Sequence, residues 1–237
     1  DTAAKLTSKV CQVKNHSNNI KEEIEKMNKT LTKEGFSHSI MEMYSPPRVT
    51  GMGDMLGLMQ GMALDLTTVD DNGNAWDFSK EAMRNKAEKL VRDKTALLII
   101  GSPMCSAFSS LQNMNVNKIK PEVMNEMVKK GREHLEFCLK LYEIQHEQGL
   151  YFLHEHPAQA SSWNLPGVLK VLSLSGVSKI TSPMCAFGMM SEDAKGPGLV
   201  KKPTGFMSNA RRLLDRLARK CDGDHRHITL VGGKAKR

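Results

Sequence analysis

The sequence predicts an α/β protein: a Rossmann-like open, mostly parallel sheet with helices on both faces. Three observations carry this. Short apolar runs of strand length, "ALLIIGS" (96–102) and "LYFLHEHP" (150–157), alternate with helical stretches, as parallel strands joined by crossover helices require. A long helix opened by Pro121, a residue suited to a first helical position, runs between them to about Gln148. A chain of 237 residues can also bury one substantial core without disulfide or metal staples.

In chain order, residues 1–37 form an N-terminal helical extension. Ile20, Ile24, Met27 and Leu31 recur at helical spacing until Gly35 ends the run, so the helix is expected to pack on the domain. Residues 38–194 are expected to form the Rossmann-like domain, and any catalytic site would lie in it. It opens with the strand "HSIMEMYS" (38–45), stopped by Pro46 and Pro47, then a short Met-rich helix and a second strand "GMALDLTT" (61–68). Residues 195–237 are a basic segment that closes the same domain. In it "SNARRLLDRLARKCDG" (208–223) reads as a helix with an arginine face, followed by a strand "HITLVGG" (227–233).

The net charge of +8 is concentrated at one end. From Lys195 onward there are twelve Lys/Arg against three Asp/Glu, which leaves about −1 for the rest. A local excess of this kind suits a polyanionic partner, or a solvated tail. Five widely spaced cysteines, with neither a signal peptide nor an apolar run of membrane-spanning length, indicate a reducing intracellular setting and no membrane partner. The chain opens at Asp1 rather than Met, as a processed product or an excised piece would.

In open parallel sheets ligands bind beyond the carboxyl ends of the strands. Those ends carry "YSPPRV", "DLTT", "GSPMC" and "HEHP", so the site is expected there. Cys105 follows a strand at a Gly-Ser-Pro turn, where backbone amides would favour the thiolate; the alternative is an inert core cysteine. In "HEHP" the pleat sends Glu155 to one face and His154 and His156 to the other. Glu155 at the strand's end suits a proton donor, whereas the histidines either chelate a metal or simply hydrogen-bond. Cys221, His225 and His227 in "CDGDHRH", joined by Cys185, would make a four-ligand zinc set, or else a turn leading into a strand. "KKPTGFMSN" (201–209) has the groups that contact phosphates and stack on bases, as an ordinary surface loop also can.

The stretch "GSPMCSAFS" (101–109) resembles the catalytic loop of the C5-cytosine DNA methyltransferases, Gly-Gly-Pro-Pro-Cys-Gln-x-Phe-Ser, with Met104 in place of the second proline. Other pieces follow in that family's order. "IMEMYS" resembles the strand that opens its cofactor site, "GMALDLTT" the strand whose acidic residue holds the cofactor ribose, "WDF" (76–78) the next acidic segment, and "FLHEHP" the Glu-Asn-Val segment. The resemblance covers about residues 38–160 and implies an S-adenosylmethionine-dependent DNA methyltransferase. Cys105 would be the nucleophile and Glu155 the catalytic glutamate; Glu42, Tyr44, Ser45, Asp65, Asp77 and Pro103 would hold the cofactor. Ser109, Lys201, Lys202, Arg211 and Arg212 would contact nucleic acid, DNA first, with RNA still open and a protein partner helping to select the target. Location would follow the DNA, and the compactness suits a virus or mobile element. The second "SPMC" motif, around Cys185, reads as structural, zinc ligation being the minority option. Two rival readings use the same residues: a nucleic-acid-binding module without activity, and a zinc-stabilised structural protein.

Overall fold

The structure, a computed structural model, describes residues 2–109 and 120–230. The element order is α1 (Thr2–Lys33), β1 (His38–Met43), α2 (Val49–Met55), β2 (Met62–Leu64), α3 (Glu81–Arg92), β3 (Ala96–Gly101), α4 (Pro121–Glu147), β4 (Tyr151–Pro157), α5 (Pro166–Leu172), β5 (Ser178–Pro183), β6 (Met190–Asp193), β7 (Gly196–Val200), β8 (Pro203–Ser208), α6 (Arg211–Leu217) and β9 (His227–Ile228). Single 3₁₀ turns cover Ser106–Phe108, Ser161–Asn164 and Met184–Phe187.

Six strands form the main sheet in the order β2-β1-β3-β4-β8-β5. Neighbouring pairs among β1 to β4 are parallel, while β8 runs antiparallel to both β4 and β5. The sheet is therefore mostly parallel, with one reversed strand between two that share a direction. Both faces are covered. Adjacent residues of β8 show this, because Met207 joins the large core with α3, α4 and α5, whereas Phe206 joins Leu153, Leu213, Leu214 and Leu217 under α6. A second sheet, β6-β7-β9, lies outside the first, and the 194/195 boundary falls at its β6–β7 turn.

Local chemistry sets the element ends. Gly35 takes φ +89 and Phe36 N–H bonds the Leu31 carbonyl, closing α1 with an apolar Leu31–Phe36 contact. The last turns of α1 pack on the domain: Leu31 is buried and Asn28 bonds Gly57 and Met59, while Ile20 is exposed. The second strand is shorter than its sequence pattern because Asp65 folds back on Thr67 and Thr68. The helix expected over 208–223 is confined to α6. Ser208 belongs to β8, and Asn209 prolongs the strand pairing through bonds to Phe152 and Leu150. At the other end Ser182 of β5 bonds both the Leu217 carbonyl and Arg219 N–H, which stops the helix. Of the strand expected over 227–233, β9 covers 227–228, residues 229–230 are in neither helix nor strand, and 231–233 lie outside the described residues.

Candidate active site

The strand order reverses between β1 and β3, and a cavity of about 280 Å³ opens beyond their carboxyl ends. Tyr44, Asp65, Trp76, Asp77, Phe78, Ser102 and His134 are among its lining residues. The volume is close to the lower end of the ~300–1,000 Å³ usual for small-molecule sites. Tyr44 directly follows β1 with φ +60, a left-handed turn made without glycine. Its ring packs against Phe78 at 4.9 Å and its hydroxyl lies 3.1 Å from His134 Nδ1, so burial pushes its pKa far up. His134 titrates below an ordinary imidazole, chiefly because it is half-buried. Asp77 is held below the usual carboxylate range by the hydroxyl and N–H of Ser79. Six lining residues are not among the expected site residues: Leu66, Trp76, Phe78, Ser102, Met104 and His134. For His134 the only signal is its position on α4, on the stripe that continues through Cys138 to Tyr142.

Three expected cofactor residues do not line the cavity. Glu42 is buried, and its Oε2 accepts bonds from the Arg48 and Thr50 N–H groups and the Thr50 hydroxyl, so it ties down the "SPPRVT" loop. The Ser45 hydroxyl turns back to the Pro46 carbonyl. Pro103 is buried and its carbonyl accepts His156 Nε2–H at 3.0 Å, while the flanking Ser102 and Met104 face the cavity.

Cys105 caps the 3₁₀ turn Ser106–Phe108, and Ser109 closes it. The expectation of a favoured thiolate is corrected. Burial raises the Cys105 pKa above that of a free thiol, Lys202 opposes this and Glu155 adds to it. Lys202 Nζ lies 3.6 Å from Glu155 Oε1, so thiol, carboxylate and ammonium form one electrostatic group. As the pleat predicts, His154 and His156 are buried on the opposite face from Glu155. Each makes a hydrogen bond through Nδ1: His154 Nδ1 meets Tyr142 Oη at 3.2 Å, and His156 Nδ1 accepts from Ser162 at 2.7 Å. Burial lowers both histidines, His156 to about 4, so His156 is a neutral brace on the cysteine loop.

The four basic residues assigned to nucleic acid are split. Lys201 and Lys202 precede β8 at the carboxyl edge of the sheet, but the reversed β8 carries the chain about 17 Å away before Arg211 and Arg212 begin α6. Arg211 is exposed and paired with Asp215. Helix α6 then returns toward the carboxyl edge, so Arg219 and Lys220 reach the side that Lys202 occupies. The sequence pattern alone does not single out these two exposed cations.

At the same edge Cys185, Cys221, His225 and His227 converge, with one ligand atom of each within 4.8 Å of all the others. The fold brings this minority set together from three elements.

No family model matches the chain, and no curated protein does. The fold and sites therefore define an α/β protein with a strand-end cavity, an adjacent Cys-Glu-Lys group and a Cys/His cluster. Among the described residues, no helix is long and apolar enough to cross a membrane.

Proposed function

We propose that the protein is an S-adenosylmethionine-dependent DNA cytosine-C5 methyltransferase on a Rossmann-like sheet. The observation that carries this reading is that a cavity at the strand-order reversal and the Cys105–Glu155–Lys202 group share one sheet edge. The lining fits the cofactor chemically. Asp65 offers a carboxylate for ribose hydroxyls at the end of β2, Trp76 and Phe78 offer apolar walls for a purine, and Asp77 offers an acceptor for an amino group. The bound cofactor supplies the methyl group.

The protein's own residues do the rest. Cytosine C5 is a poor nucleophile until a group adds at C6, so Cys105 gives its proton to solvent and its sulfur bonds C6 of a base flipped from the stack. Glu155 engages N3 and stabilises the electron-rich ring, whose C5 takes the methyl group. Loss of the C5 proton to solvent then expels Cys105 and restores the ring. Lys202 holds Glu155 and favours the thiolate by its charge.

The test uses DNA carrying 5-fluorocytosine, whose fluorine cannot leave C5 as a proton does. With cofactor present the protein becomes covalently attached, and Cys105→Ala abolishes attachment. Attachment that survives Cys105→Ala, or none together with no cofactor binding, overturns the reading; the latter result favours a binding module without activity.

A further inference from the structure

We propose that Cys185, Cys221, His225 and His227 bind a structural zinc ion that ties the second sheet and the C-terminal segment to the main sheet. The spacing fits the ion. Cys221 Sγ lies 3.6 Å from His225 Nε2 and 3.3 Å from His227 Nε2. In tetrahedral zinc, with bonds of about 2.3 Å to sulfur and about 2.0–2.1 Å to nitrogen, the sulfur–nitrogen edge is about 3.5 Å. The two observed separations bracket that value.

The surroundings fit as well. His225 Nδ1–H donates to Asp224 Oδ1 at 3.0 Å, with Asp222 Oδ1 at 3.1 Å, which leaves Nε2 with its lone pair toward Cys221. A carboxylate behind a ligating imidazole fixes the tautomer a metal needs. Cys185 is buried and the other three are partly buried, and four protein ligands fill a tetrahedron, as structural rather than catalytic sites do. Two thiolates with two imidazoles select zinc over magnesium or calcium.

The ligands also sit where a tie is needed. Cys185 lies on the turn after β5, and Met184 N–H bonds the Lys202 carbonyl. His227 opens β9 and pairs with Leu199 of β7. Between α6 and β9, residues 218–226 form neither helix nor strand, so little backbone pairing fixes their course. A shared ion supplies that constraint.

Elemental analysis of the purified full chain tests this, with circular dichroism to confirm that each variant is folded. The expected result is about one zinc per chain. Cys221→Ser and His227→Ala lose it, whereas His227→Cys, which substitutes one zinc ligand for another, retains it. Cobalt added to chelator-treated protein gives the visible absorption of a tetrahedral thiolate complex, and zinc added back raises the thermal midpoint. Wild-type protein that holds no metal and is not stabilised by added zinc overturns the proposal. So does a metal that survives Cys185→Ser but is lost in Asp222→Asn/Asp224→Asn, because the ion then sits on the exposed carboxylates that share His225. These readouts do not involve methyl transfer.

Discussion

Glu155 on β4 and Lys202, just before β8, pair carboxylate to ammonium at 3.6 Å, and both act on the Cys105 thiol with opposite signs. Burial already raises the thiol, so the free protein holds Cys105 mainly protonated at neutral pH. Iodoacetamide labelling of Cys105 should speed up with pH and reach its half-maximal rate above that of a free cysteine. Lys202→Ala should move the midpoint further up and Glu155→Gln should move it down. Opposite shifts would break the assignment of the three residues to one group.

Asp65 lines the cavity from the end of β2, held by Thr67, whose N–H donates to its Oδ1, and by its own N–H, which donates to the Thr68 hydroxyl. If the cavity holds the cofactor, calorimetric titration with S-adenosylmethionine should give micromolar binding that Asp65→Ala weakens at least about tenfold, some 1.4 kcal/mol. Ser45→Ala should bind normally, since that hydroxyl faces its own backbone. A larger loss in Ser45→Ala than in Asp65→Ala would put the ligand elsewhere.

The reversal of β8 separates the basic residues into two groups, which makes nucleic-acid binding a geometric test. Removing one cation that neutralises a phosphate should lower the slope of log affinity against log salt by about 0.9 for duplex DNA. Lys201→Ala and Arg219→Ala should each show this, and Arg211→Ala, already paired with Asp215, should not. Single-stranded RNA run in parallel tells which polymer is preferred.

Gly101 ends β3 against α4, where an added Cβ would lie 1.9 Å from Tyr142 Oη and 3.1 Å from Cys138 Sγ. Gly101→Ala should therefore cost about 1–3 kcal/mol, or more, by overpacking, read from urea unfolding. A neutral substitution would mean that α4 moves freely away from the sheet.

The strands and the long helix were legible because burial writes itself into apolar runs: β3, β4 and α4 fall within a residue or so of their sequence patterns. Tyr44, Asp65 and Asp77, which the resemblance assigns to the cofactor, do line the cavity, because their segments follow strands at the carboxyl edge of the sheet. Glu42, Ser45 and Pro103 were misjudged because a motif assigns residue types, whereas side-chain direction depends on which backbone groups need partners, as Arg48 and Thr50 need Glu42. The division of Arg211 and Arg212 from Lys202 was hidden too, since the direction of β8 is a property of its partners rather than of its own sequence.

Asp70 braces the cavity from outside. Its carboxylate bonds Lys86 Nζ at 2.8 Å and the N–H groups of Asn72 and Asn74, and Lys86 in turn lies over the Trp76 ring at 5.5 Å. Chiefly through the Lys86 bond, the Asp70 pKa falls from 3.8 to about 2. A carboxylate whose pKa is lower folded than unfolded stabilises the folded state above its unfolded value and loses that contribution as pH falls through the folded one. The window is therefore between about pH 4 and pH 2. Asp70→Asn should have a lower thermal midpoint than the parent at pH 7, and the gap should shrink below pH 4 and close near pH 2. Because Trp76 loses its support, the same variant should also bind S-adenosylmethionine more weakly at pH 7. A gap that stays constant from pH 7 to pH 2 would show that the Asp70 charge contributes nothing to this brace.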